Sequence, residues 1–348
     1  MNISLSLILA IVFILLVSVV GRKIFKLDRT SFPLLIIFYI FIGIVLSFPL
    51  KSEVRFLSPF FLLSLGIVGF IEGASMDFLR LKVKTSVLLP LLKFFLFFAF
   101  FYFSFHFISA NSKLSLIFAT VFAPVSFYGL EREKILLASF WELFSIMLLP
   151  IIFSFFNKNF LRALVFHIIL GILLGIIAYI TLGIKASRGE RNAIIIGLLT
   201  LGAASASYLS LSPIFVGFIG GFIYANLPRF VGVEVLLPQI LVPEKPAFLF
   251  ILIFLGMFSA KINLTILLMA SGFLFLKSVP AIISKEPGYL SIPPISVAIF
   301  SSVYFHFRDK FSPEILPAFT LSFIFMEIVE YTVLNYRKRG NIILKRGR

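Results

Sequence analysis

The sequence predicts an all-α polytopic membrane protein of about 13 transmembrane helices, and three observations carry that prediction. The chain is 60% hydrophobic and 17% aromatic but only 13% charged, with a mean hydropathy of +1.12. A soluble domain keeps about a quarter of its residues charged. Apolar runs near the roughly 20 residues that cross a bilayer recur along the whole chain. The basic residues are not scattered but fall in short connections of one alternating set, which is a topology signal.

The runs lie near 3–20, 33–49, 57–76, 85–108, 113–130, 136–156, 160–183, 192–208, 211–226, 244–260, 263–284, 290–306 and 312–336. The first ends in GRKIFKLDR rather than at a small-residue cleavage site, so it reads as a span and not as a cleaved signal. The longest connection, Leu227 to Pro243, is sized for a surface helix, so residues 1–348 are expected to form one transmembrane domain. Of 31 Lys and Arg, 21 fall after odd-numbered segments or in the tail and 8 after even-numbered ones. The other two, Lys93 and Lys277, lie inside segments. Positive residues stay inside, so the N-terminus is expected outside and the tail RKRGNIILKRGR in the cytoplasm of a cell membrane.

The second segment ends FIGIVLSFPL and the ninth FIGGFIYANLP. They stand seven segments apart, an odd number, so they run in opposite directions. Inverted repeats with broken helices near the midplane are a mark of secondary transporters. Pro124 in the fifth segment and Pro293-Pro294 in the twelfth are the expected breaks, again seven apart.

Charges at depth give the candidate site. Glu142 lies eight residues beyond Lys134 and Lys277 eight before Lys285, each about 12 Å in from the same side. A carboxylate in hydrocarbon must be protonated, paired or facing water, and a buried lysine needs an anion. The two are therefore expected to meet. Glu72 and Lys93 flank the Asp77–Lys84 turn and are expected to pair as a structural hairpin clasp. Glu327, three residues before Glu330 on one face of the last segment, is a second candidate proton site. His106 and His167 read as interfacial residues. The small residues of LGAASAS and GFIGG read as close helix packing. With no cysteine, Cys–metal sites and thiol nucleophiles are excluded, and paired acids near one surface, as a membrane enzyme would need, are missing.

Five stretches in shared order resemble the monovalent cation:proton antiporter superfamily, in its bacterial and archaeal sodium/proton antiporter and potassium-efflux branch. They are LGIVGFIEGASMDFLRLK, ATVFAPVSFYGL, LSLSPIFVGFIGGFIYAN, PEKPAFLFILIFLGMFSAKINL and MEIVEYTVLNYRKRG, the third being the most specific. The resemblance implies an inverted-repeat antiporter fold with two crossing broken helices, near 113–130 and 290–306. It implies a core of segments 3–6 and 10–13 (about 57–156 and 244–336) and a panel, or dimer, part (about 1–49 and 192–226). It further implies exchange of Na⁺ or K⁺ for H⁺ by alternating access, no enzymatic activity, no cofactor, a homodimer in lipid and no nucleic-acid partner. Glu142 takes the place of the family's ion-binding acid and would be the metal ligand for Na⁺ or K⁺. Trp141 replaces its Asn or Asp neighbour, and Lys277 matches the basic partner. Thr120 keeps the Thr of the broken helix, but the Asp expected after it is Val121. PPISVAIF matches the second broken helix without its polar residues. Two rival functions keep the fold: carriage of an organic anion with Na⁺, or no transport at all.

Overall fold

The structure, a computed structural model, describes residues 32–48, 54–76, 88–109, 111–124, 132–156, 160–182, 188–227, 244–284 and 289–346. These form α1 (Phe32–Ser47), α2 (Val54–Ser75), α3 (Leu88–Ser109), α4 (Ser112–Phe122), α5 (Arg132–Phe156) and α6 (Phe160–Leu182). They continue with α7 (Arg188–Tyr208), α8 (Pro213–Asn226), α9 (Glu244–Phe258), α10 (Leu264–Ser284), α11 (Pro294–Phe307), a 3-10 turn (Arg308–Lys310) and α12 (Ile315–Arg346). Twelve of the expected segments are thus seen as helices; the first, 3–20, lies outside the described residues.

Five helices are long and apolar enough to cross a bilayer, within α2, α3, α6, α10 and α12. Their outward faces carry bare hydrocarbon: Phe107 is 92% exposed, Phe275 69% and Phe103 67%. Aromatic and aliphatic surface on this scale is stable only against lipid, so the chain is a multi-pass membrane protein.

Backbone approaches backbone most closely at two helix pairs. α2 lies against α8, where Gly69 and Gly73 face the carbonyls of Ile214 and Phe218, and Gly221 faces that of Phe70. α1 lies against α9, where Gly43 meets Ile253 and Gly256. In lipid such contact rests on van der Waals packing, which side chains at the seam would prevent. The expectation of packing for GFIGG therefore holds. These pairs are also the second segment on the tenth and the ninth on the third, so the inverted repeat exchanges one for the other. A methyl at Gly221 would overlap the Phe70 carbonyl, whereas one at Gly197 would meet nothing. We expect Gly221→Ala to destabilise by about 1–3 kcal/mol, as overpacking does, and Gly197→Ala not to. Unfolding midpoints of the two variants in detergent check this.

His167 is fully buried, not interfacial. It lies 2.7 Å from the Ala163 carbonyl through Nδ1, and its Nε2 accepts the Ser212 N–H at 2.8 Å. That bond ties α6 to the start of α8, where the Ser212 hydroxyl caps and Pro213 opens the helix. The sequence LSLSPIF is thus a helix-start device, preceded by Ser210 at φ 58. Its position at a buried junction, invisible in sequence, makes His167 structural.

Candidate functional site

α4 and α11 are the elements that build the site. At 11 and 14 residues they rise about 16 and 21 Å, short of the roughly 30 Å of hydrocarbon. α4 opens with Asn111, whose side chain accepts from the Lys113 and Leu114 N–H groups. It stops at Phe122, followed by Ala123 and Pro124; residues 125–130 of the expected broken helix lie outside the described residues. α11 is preceded by non-helical backbone at Ser291, Ile292 and Pro293. Both irregular stretches are buried. Non-helical backbone is tolerated at membrane depth only where protein or a water-filled cavity surrounds it. Here an aromatic cage supplies the walls. Phe118 stacks near Phe105 at 4.6 Å, Phe273 at 5.0 Å and Phe300 at 6.0 Å, joining α4 to α3, α10 and α11.

The last carbonyls of a helix have no partner within it and carry its negative pole. In α4 the Lys277 ammonium meets that need. Its Nζ donates to the Phe122 carbonyl at 2.6 Å and to the Pro124 carbonyl at 2.7 Å. It also lies 5.7 Å from the Phe101 ring centroid, within cation–π range. Lys277 is 1% exposed. A side chain from α10 thus caps a half-helix more than 150 positions earlier in the chain.

The direct contact of Lys277 with Glu142 is not what its hydrogen bonds show: both go to carbonyl oxygens. The acid is buried all the same, at 3% exposed on α5. Trp141 beside it is enclosed by rings of Phe94, Phe97 and Tyr289, centroids 5.8–6.0 Å away. The Tyr289 contact sets the Glu142 level of α5 against the segment leading into α11. Thr120 is fully buried, and its hydroxyl donates to Leu116 O within its own helix. Glu72 is half-buried and Lys93 exposed. Lys93 forms no ion pair among the described residues, so the expected clasp with Glu72 is not made. Its helix turns that face outward, where the long aliphatic stem can carry the charge toward an interface.

The residue that sequence reasoning underweighted is Glu330. Glu327 and Glu330 are both buried on α12, which packs against α10. The Ser291 hydroxyl donates to Glu327 Oε1 at 2.6 Å. The helix that carries Glu330 packs against α10, which carries Lys277, and the two charges act on each other. Only spacing on one helix face hinted at this pairing.

No protein-family model and no curated protein matches the chain. A solved structure does: the sodium proton antiporter MjNhaP1 from Methanocaldococcus jannaschii at pH 8, at 18% identity and a TM-score of 0.61. The likeness covers 98% of this chain and 99% of that one. The chain has the sodium/proton antiporter fold. Within the antiporter fold the short α4 and α11 correspond to the two broken helices anticipated near 113–130 and 290–306. The expected architecture holds, with twelve α-helices among the described residues.

Proposed function

We propose that the protein exchanges a monovalent cation, Na⁺ or K⁺, for H⁺ across a membrane by alternating access. The observation that carries this is the Lys277 ammonium seated on the Phe122 and Pro124 carbonyls. Carbonyl oxygens at an unwound helix end are the ligands a dehydrated cation takes in transporters of this general build. In this reading the lysine is a tethered cation that occupies the place until a mobile one arrives. Glu142 supplies the carboxylate on the α5 side, Thr120 adds a hydroxyl oxygen, and Trp141 closes the wall. The antiporter fold supports the same reading, and the buried ammonium speaks against a purely structural relative. A homodimer in the cell membrane, with the N-terminus outside and the tail inside, completes the proposal.

The test is proton flux in proteoliposomes driven by gradients of Na⁺, K⁺ and Li⁺, with choline as control. Flux stimulated by at least one alkali cation and not by choline is expected. Equal proton flux under all four conditions would leave the fold without this function.

A further inference from the structure

Around Lys277 the charges do not balance at the broken helix alone. Two carboxyl groups are buried on α12, which packs against α10: Glu327 at 1% and Glu330 at 0% exposure, the latter facing the Lys277 charge. Glu327 Oε1 accepts from Ser291, but Glu327 Oε2 and both Glu330 oxygens have no hydrogen-bond partner. Three acceptor oxygens without a donor, at this depth, cannot belong to two bare carboxylates. Like charges held this close cannot both ionise unless something positive is added. One proton held by the pair supplies the missing charge and serves two of the three oxygens. Among the described residues, the other elements against α12 offer no rival. α1 carries no charged residue, and the acid and base of α9, Glu244 and Lys245, stand in its first turn. Lys277 of α10 is the facing charge, and Ser291 before α11 the facing hydroxyl.

The repeat gives an independent pointer. Lys277 follows Lys93 by 184 positions (277 − 93), and Glu327 follows Glu142 by 185 (327 − 142). Helix starts are offset by 183 from α5 to α12 (315 − 132), in step with the acids, but by 176 from α3 to α10 (264 − 88), which leaves Lys93 and Lys277 out of register. Glu327 therefore stands in the second half where Glu142 stands in the first.

We infer that Glu327 and Glu330 form the proton-carrying site of the exchanger, sharing one proton and releasing it when a cation displaces Lys277 from the α4 carbonyls. This rests on the cation-exchange reading above and adds where the proton sits. At rest the cluster holds one ammonium, one carboxylate and one carboxyl, net zero. A cation arriving on the Phe122 and Pro124 carbonyls drives the ammonium toward Glu330. The attraction favours the ionised pair, and the shared proton leaves. The cluster then holds one cation, one ammonium and two carboxylates, again net zero, while Glu142 keeps its charge throughout. One cation enters for each proton released, so the step is electroneutral.

Infrared difference spectroscopy on the purified full-length protein reads the proton directly, through the C=O stretch of a protonated carboxyl. At neutral pH without alkali cation, wild type is expected to show such a band, and Glu327→Gln or Glu330→Gln to lose it. Ser291→Ala, which keeps both acids, is expected to shift the band without removing it. Glu330→Asp is expected to restore a shifted one. Adding Na⁺ or K⁺ is expected to abolish the wild-type band with release of one proton per cation. A band unchanged in both glutamine variants, or none in wild type, overturns the inference whatever the flux. A band that those variants remove, but that no alkali cation affects, leaves the proton pair standing and sinks the cation-exchange reading instead.

Discussion

Replacing Lys277 by methionine is expected to cut cation-driven proton flux at least tenfold and to make the stability of the protein cation-dependent. Two charge-assisted hydrogen bonds end at the Phe122 and Pro124 carbonyls, each worth about 1.5–3 kcal/mol. Methionine has nearly the same bulk but no donor, so both carbonyls at the end of α4 lose their cap. The loss is expected to be several kcal/mol in choline and to be partly recovered when Na⁺ or K⁺ takes the vacated place. Melting midpoints of Lys277→Met in choline, Na⁺ and K⁺ measure it, with flux in proteoliposomes alongside. Wild-type flux in this variant would remove Lys277 from the cycle. Arginine is no conservative control here, because its planar fork cannot reproduce a point charge placed on two converging carbonyls.

Glu142→Gln is expected to leave the fold intact and weaken cation binding by roughly a thousandfold. A carboxylate and a monovalent ion about 4 Å apart attract by about 4 kcal/mol at an effective dielectric of 20, and glutamine keeps only the dipole. Cation binding to the purified protein, by equilibrium dialysis, checks the affinity. Because Trp141 and its ring partners hold α5 in place independently of the carboxylate, unfolding midpoints should barely move. Unchanged affinity would move the ion ligand elsewhere in the cluster.

Much of the architecture was legible from residues alone, for a physical reason. A bilayer sets a length and demands that every backbone group be satisfied within its own segment, so each helix announces itself locally. The breaks fell at prolines the sequence had marked, Pro124 and Pro293-Pro294, although Pro59, Pro150 and Pro280 lie within continuous helices. Glycines at 217 and 221 foretold a close approach, though not that α2 would be the partner. The depth of Lys277 and Glu142 could be counted from loop charges.

What each buried charge touches was not legible. Depth fixes one coordinate, while rotation about the helix axis and the choice of neighbour depend on packing across the whole bundle. Hence Lys93 faces outward, while Lys277 faces in. Hence His167 is a buried cap rather than an interfacial side chain. The amino-acid sequence by itself determined a polytopic helical protein with two interrupted helices and a few charges at mid-depth. Only the tertiary structure decided that the amine caps a half-helix and that Glu330 joins Glu327 beside it. Hydrogen bonds made across 150 residues of chain leave no local pattern to read.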